Sequence, residues 1–119
     1  NEYDMLPGGK GGNQALAATR IGVKTALVAR VGDDGAGMRI IAGLRRDGVI
    51  TSGVSTSDHK PTGMSFLINN SAGEKRGVFI SGANAEIMQD QIPDEILVPS
   101  NMLLLQSELP PDQNWALLR

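Results

Sequence analysis

The sequence contains no cysteine, one histidine and few aromatic residues. The lack of cysteine excludes disulfides, thiolate chemistry and zinc–thiolate sites, and it is compatible with the reducing cytoplasm, where we expect this protein. Two Phe, one Tyr and one Trp are too few for a base-stacking platform of the RNA-binding kind. The formal net charge of −2 shows no basic excess, so we expect no nucleic-acid partner.

Long hydrophobic runs are also absent. No apolar stretch approaches the roughly 20 residues of a transmembrane helix, so we expect no membrane partner. Residues 1–4 (NEYD) do not resemble a signal peptide. The 119 residues fit one small domain or part of a larger one. Because the sequence starts without Met and stops at Arg119 within a helical pattern, we expect it to be truncated at both ends.

The most distinctive stretch is residues 8–14 (GGKGGNQ), in which four glycines surround one lysine. Such a stretch lets backbone amides and a following helix N-terminus approach a polar group. Lys10 adds a positive charge and three hydrogen-bond donors. Asn13 suits the N-cap of a helix over residues 13–21, which Gly22 would close. The stretch predicts binding of a hydroxyl-rich or anionic ligand, with a plain glycine-rich turn as the alternative interpretation.

Two standard nucleotide motifs do not fit this stretch. A phosphate-binding P-loop needs Ser or Thr after its lysine, where Gly11 stands. A dinucleotide-binding fingerprint needs a third small residue where Gln14 stands. A nucleotide-dependent oxidoreductase domain is therefore a disfavoured alternative.

Helical and β patterns alternate along the first half of the chain. Residues 25–31 form an apolar run typical of a strand covered on both faces. Residues 35–46 form a helical pattern that Gly48 closes. Val49 and Val54 indicate a further short strand. The order helix, strand, helix, strand predicts an α/β layered fold.

The second half changes character. Residues 62–68 and 76–80 are short β-type runs joined by the turn-forming residues 69–74. This pattern predicts a hairpin that lies at the edge of the parallel sheet or projects from it. Residues 102–106 are a candidate for a buried strand, and Asp112 can cap a last helix.

Four polar residues are candidates for chemistry. Glu108 follows the predicted strand at the sheet edge where open α/β folds bind ligands; it could accept from two sugar hydroxyls or be a solvated loop acid. Asp33 and Asp34 could bind a metal or act as an acid/base pair, but an aspartate directly before a helix is more simply an N-cap. His59 has no Ser-His-Asp arrangement around it, so we assign it no role.

Five motifs together resemble the ribokinase family of carbohydrate kinases, from end to end of the chain. Residues 8–15 (GGKGGNQA) are similar to the family signature GGKGANQA, with Gly12 where members usually carry alanine. Lys10 favours the ribokinase branch, because the fructokinase and adenosine kinase branches typically lack this lysine. The other motifs follow in family order at residues 31–34 (VGDD), 62–63 (TG), 82–84 (GAN) and 106–108 (QSE).

The resemblance implies a partial doubly wound, Rossmann-like α/β domain over residues 1–119, with a small β lid formed by about residues 1–8 and the hairpin 62–80. It implies phosphoryl transfer from ATP to a sugar hydroxyl, with Mg²⁺ and an activating monovalent cation such as K⁺. It also implies a homodimer formed through the lids of two subunits. The residues that would contact the sugar hydroxyls are Gly9, Lys10, Asn13 and Glu108.

The family pattern includes parts that have no match in this sequence. These are the first strand with its sugar-binding aspartate, the catalytic aspartate with its anion-stabilising amides, and the ATP site. We therefore predict no catalytic residue and no metal ligand here, and we expect an inactive fragment of a kinase that phosphorylates D-ribose on its 5-hydroxyl. The alternatives are another kinase of the family, such as a fructokinase or nucleoside kinase, and a non-catalytic sugar-binding module on the same half-fold.

Overall fold

A computed structural model describes residues 3–98 and 102–118. Residues 1 and 2 of the expected lid and the chain end at Arg119 lie outside these ranges. No helix within the described ranges is long and apolar enough to cross a membrane. The elements are α1 (Lys10–Arg20), β1 (Ala26–Gly32), α2 (Gly35–Arg46), β2 (Ile50–Ser57), β3 (Met64–Asn69), β4 (Lys75–Ile80) and α3 (Pro111–Leu117), with short 3₁₀ turns at Gly82–Glu86, Gln89–Gln91 and Asp94–Ile96.

β1 and β2 form a parallel pair that carries the core. Gly32 at the end of β1 pairs with Ser57 at the end of β2, so both strands end at the same edge. α2 is the crossover that a parallel connection requires. This arrangement confirms the α/β class. A buried cluster joins α1 and α2 to the β1–β2 pair. It consists of Ala15, Leu44 and Val49, with Leu16, Leu27 and Ile40 packed against it.

β3 and β4 form the predicted antiparallel hairpin, with Met64 opposite Ile80 at its base. Asn70 shapes the turn, because its side-chain oxygen accepts from the backbone amides of Ala72 at 3.0 Å and Glu74 at 2.9 Å. Every residue of both strands is exposed. Within the described ranges the hairpin is a sheet of its own, separate from β1 and β2.

The ends of α2 agree with the sequence prediction. Asp34 caps the N-terminus, where its Oδ1 accepts from the amide of Gly37 at 2.8 Å. Gly48 follows the C-cap with a φ of 91°, a left-handed conformation that favours glycine. Gly22 ends α1 in the same way, with a φ of 88°. Short-range chemistry decides these three positions.

The predicted start of α1 at Asn13 was wrong. The helix begins at Lys10, with Gly9 at the N-cap and no side-chain cap. Gly9 has a φ of 96°, and this backbone turn starts the helix three residues before Asn13, the start that helix-capping preferences favour. Gly11 and Gly12 therefore lie inside α1 although glycine is a poor helix former.

Two predictions in the last part of the chain were also wrong. Residues 102–106 form no strand and pair with neither the β1–β2 sheet nor the hairpin, and Met102 is 95% exposed. α3 has Pro110 at its N-cap rather than Asp112, which lies in the first turn. Proline at the first helical position, here Pro111, explains this start because its fixed φ suits a helix and it lacks the N–H.

Candidate functional site

The glycine-rich stretch of residues 8–14 leads into the first turn of α1. The carbonyl of Gly9 accepts from the amide of Asn13 at 3.0 Å, which is the first backbone bond of the helix. The amides before Asn13 in this turn have no partner within the helix. Lys10, Asn13 and Gln14 share one face of α1, since residues three and four apart are neighbours on a helix, and all three are exposed. The stretch therefore offers backbone donors and polar side chains together.

Lys10 and Glu108 come together from opposite ends of the chain. Nζ of Lys10 lies 2.7 Å from Oε1 of Glu108, and 69% and 53% of the two side chains are exposed. Glu108 occupies a turn just before α3 rather than the end of a strand. Such an exposed ion pair contributes at most about 1 kcal/mol to stability. It does place three ammonium donors beside a carboxylate acceptor, the combination that suits neighbouring hydroxyl groups.

A second polar contact joins the same two segments. Nε2 of Gln106 donates to Oε1 of Gln14, and the carbonyl of Gln106 accepts from Nδ2 of Asn114 in α3 at 2.7 Å. The packing is close here, since a Cβ on Gly11 would lie 3.8 Å from Cγ of Gln106. Both glutamines stand in the motifs quoted above, yet only the tertiary structure shows that they pair.

Asp34 holds the start of the hairpin as well as α2. Its Oδ2 accepts from the Thr62 amide at 2.8 Å, and its Oδ1 accepts from the Thr62 hydroxyl at 2.7 Å. The Thr62 hydroxyl in turn accepts from the Gly32 amide at 2.9 Å. The amides of Thr62 and Gly37 and the Thr62 hydroxyl lower the pKa of Asp34 to about 2. A carboxylate bound in this way is a structural group rather than an acid or base for a substrate.

The base of the hairpin is packed tightly around two glycines. A Cβ on Gly63 would lie 2.3 Å from Nδ2 of Asn84, and a Cβ on Gly82 would lie 2.3 Å from the carbonyl oxygen of Pro61. Any larger residue at either position would therefore force the backbone apart. Together with the Asp34 contacts, these distances show that the motifs at residues 31–34, 62–63 and 82–84 meet at the base of the hairpin.

The neighbouring acidic residues do not form a second candidate. An open depression of about 330 Å³ is lined by residues 57–61 with Asp33 and Asp34. Nε2 of His59 lies 3.1 Å from Oδ1 of Asp58, and both side chains are largely exposed. In the described part of the chain, no group of three His, Cys, Asp or Glu residues could hold a metal. The cluster around Lys10 and Glu108 is therefore the candidate site.

Comparisons with known proteins show which family and which solved structures this chain is similar to. Residues 1–117 match the family described as pfkB family carbohydrate kinase. The ribokinase of Haemophilus influenzae is 33% identical over 110 residues, which are 91% of this chain and 36% of that protein. The crystal structure of ribokinase from Thermotoga maritima has a TM-score of 0.82 and 32% identity, over 95% of this chain and 37% of that one. The ribokinase of Cryptococcus neoformans in complex with ADP has a TM-score of 0.72 and 30% identity, over 93% of this chain and 33% of that one.

The fold and these matches define an α/β protein of the carbohydrate-kinase class. The chain belongs to the pfkB family of carbohydrate kinases, because the family match covers nearly all of it. The bacterial relative and both solved structures are ribokinases, which confirms the resemblance drawn from the five motifs. The chain spans about a third of the length of these relatives.

Proposed function

We propose that this chain is the sugar-binding part of an ATP-dependent kinase that phosphorylates D-ribose on its 5-hydroxyl. In this proposal residues 1–119 are a partial ribokinase-like domain with lid segments at about residues 1–8 and 62–80. The observation that carries the proposal is the approach of Lys10 to Glu108 within 2.7 Å. Both residues stand in motifs that resemble the family pattern, and together they form one polar surface beside the start of α1.

The proposed roles follow from the chemistry of each group. Lys10 donates to sugar hydroxyl oxygens, and Glu108 accepts from two sugar hydroxyls. The turn at Gly9 brings backbone amides close to the sugar without a side chain in the way. Asn13, one turn of α1 from Gly9, contributes both a donor and an acceptor. These four residues bind and orient the sugar and take no part in moving a proton.

The phosphoryl donor in this proposal is ATP, with Mg²⁺ and a monovalent cation such as K⁺. The ADP bound to the fungal ribokinase supports an adenine nucleotide. Mg²⁺ neutralises charge on the transferred phosphoryl group when it is bound. We assign no metal site to the described residues, because they include no group of three potential metal ligands. We assign no catalytic residue either, because the catalytic aspartate of the family pattern has no match in this sequence. The part of the described residues is to position the acceptor hydroxyl, on which phosphoryl transfer depends.

We also propose that the full-length protein is a cytoplasmic homodimer joined through its lids. The exposed apolar side chains of the hairpin support this proposal, since they leave a face without cover. Phe66 is 50% exposed, and its cross-strand partner Val78 is 56% exposed. A second hairpin would cover them with a matching apolar surface.

A phosphorylation panel on the full-length gene product tests the proposed function. The protein is incubated with ATP, Mg²⁺ and K⁺ and with ribose, deoxyribose, fructose or adenosine, and ADP release is followed. We expect turnover with ribose, and the position of the new phosphate on the product identifies the 5-hydroxyl. Preferred turnover of fructose or adenosine would assign the chain to another branch. Sugar binding without turnover would assign it to a non-catalytic module, and the absence of both would overturn the proposal.

A further inference from the structure

The segment that carries Glu108 is held from two sides at Gln106. The side-chain amide of Gln106 donates to Gln14 on α1, and its backbone carbonyl accepts from Asn114 on α3 at 2.7 Å. The residues before it, 102–105, lie in neither helix nor strand. Gln106 is therefore the residue that fixes this segment to α1 and to α3.

The two contacts between this segment and α1 are arranged in parallel. Gln14 lies one helical turn after Lys10, and Gln106 lies two residues before Glu108. The hydrogen bond between the side chains of Gln14 and Gln106 and the Lys10–Glu108 ion pair thus connect the same two segments of the chain. Both contacts are exposed to solvent. The charged side chains of the ion pair can exchange their mutual contact for contacts with a sugar, whereas the hydrogen bond between the two glutamine side chains can persist beside it.

We infer that Gln14 and Gln106 are a positioning pair that keeps Glu108 within reach of Lys10 and of the sugar. This inference rests on the proposed function of the Lys10–Glu108 site. Neither glutamine needs to touch the sugar. A hydrogen bond between two amides is directional, so it fixes the distance between the segments more narrowly than apolar packing does. Its net contribution to stability is small, because exposed amides also bond to water in the unfolded chain.

The test uses two variants of the full-length gene product, Gln106→Leu and Gln14→Leu. Each removes the hydrogen bond between the two glutamine side chains while keeping a side chain of similar size. Ser107→Ala is the matched control, since Ser107 is exposed and lies between Gln106 and Glu108. We expect the Kd for ribose by titration calorimetry to rise about three- to tenfold in both Leu variants, the effect of one lost hydrogen bond. The control is expected to keep the wild-type Kd.

Two further readouts separate positioning from a general loss of structure. The KM for ribose should rise in the Leu variants while kcat and the KM for ATP stay within about twofold, because only the sugar wall is displaced. In a double-mutant cycle, Gln106→Leu should have no further effect in a Glu108→Ala background, since it acts through Glu108. Additive effects on Kd, or a parallel loss of ATP affinity, would overturn the inference.

The controls also keep this inference apart from the proposed function. If the wild-type protein binds no sugar, the proposed function fails, and the inference fails with it because it requires a sugar site. If wild type binds ribose and both Leu variants bind it equally well, the proposed function stands and the inference alone is wrong. Should Gln106→Leu fail to fold, Gln14→Leu on the exposed face of α1 decides the question.

Discussion

At the scale of single residues, the exposure of the Lys10–Glu108 pair suits the ligand contact that we propose better than a structural role. Both side chains remain more than half exposed, so water competes with their attraction. A sugar hydroxyl can replace that water and form charge-assisted hydrogen bonds, which are roughly twice as strong as neutral ones. A contact that adds little to folding can therefore add much to binding.

The sugar-site residues give the first prediction. In the full-length protein, Asn13→Ala and Glu108→Ala should each weaken ribose binding by about 1.5–3 kcal/mol, because each removes a polar or charge-assisted contact. Titration calorimetry on the folded variants measures this loss. Glu95→Ala is the control, since Glu95 is an exposed acid in a 3₁₀ turn outside the candidate site. Wild-type affinity in both site variants would remove the assignment.

Asp34 gives the second prediction. In the full-length protein, Asp34→Ala should lower the free energy of unfolding by about 2–3 kcal/mol, because it removes an N-cap and leaves the buried Thr62 without its acceptor. Asp33→Ala, an exposed neighbour, should change stability by less than about 0.5 kcal/mol. Urea unfolding of the two variants measures the difference. Equal losses in both would show that the Asp34 contacts do not matter.

The pH dependence of this effect has a definite sign. The folded pKa of Asp34, about 2, lies below its ordinary value of 3.8, so the carboxylate stabilises the folded state above that ordinary value. The contribution is lost as the pH falls through the folded pKa. The stability difference between wild type and Asp34→Ala should therefore be constant above about pH 5 and shrink as the pH falls from about 5 to about 2. A difference that grew on acidification would contradict the contacts described for Asp34.

At the scale of elements, the sequence predicted what short-range chemistry decides. Asp34 and Gly48 mark the ends of α2 because a cap and a left-handed glycine act within one turn. The start of α1 at Lys10 depends instead on the backbone turn at Gly9, which propensities alone do not reveal. The strand expected at residues 102–106 did not form, because a strand requires pairing with a second strand and this segment pairs with none in the described ranges. A local sequence pattern does not show which segments pair.

The candidate site was predictable in its residues but not in its connections. Lys10 and Glu108 were identified from their motifs, and the structure brings them together. The Gln14–Gln106 bond and the Asp34–Thr62 contacts were missed, because each joins residues that are distant in the sequence. Hydrophobic period and capping rules describe single elements, whereas these contacts arise only after the elements have packed.

One face of the hairpin carries a run of apolar side chains, because side chains alternate between the two faces of a strand. The cross-strand pairs place Phe66 opposite Val78 and Met64 opposite Ile80 on that face. All four are at least partly open to solvent, with Val78 56% exposed. A projecting apolar face of this kind favours association with a matching surface.

This face gives the third prediction. Phe66→Glu should convert the full-length homodimer into a monomer, because the new charge would be buried against the apolar face of a second lid. Light scattering measures the mass of the particle. Ser71→Glu in the exposed turn of the hairpin adds the same charge away from that face and should leave the dimer intact. A wild-type protein that is monomeric would remove the lid-dimer proposal.

At the scale of the whole molecule, much of the apolar surface in the described ranges is open. Leu104 is 66% exposed and Trp115 is 65% exposed, although both are side chains that cores normally bury. The parallel sheet has two strands, and each has an edge without a strand partner within the described ranges. The relatives that match this chain are about three times its length.

The last prediction concerns the 119 residues expressed alone. We expect a broad thermal transition by circular dichroism and concentration-dependent association by light scattering, because open strand edges beside apolar surface favour contacts between chains. We also expect no ADP release above background with ribose, since the sequence has no match to the catalytic aspartate of the family pattern and the described residues include no group of three potential metal ligands. The full-length protein, assayed in parallel, is the control and should melt cooperatively and turn over. A monomeric 119-residue chain with a sharp transition would refute the structural half, and ribose phosphorylation by that chain would refute the chemical half.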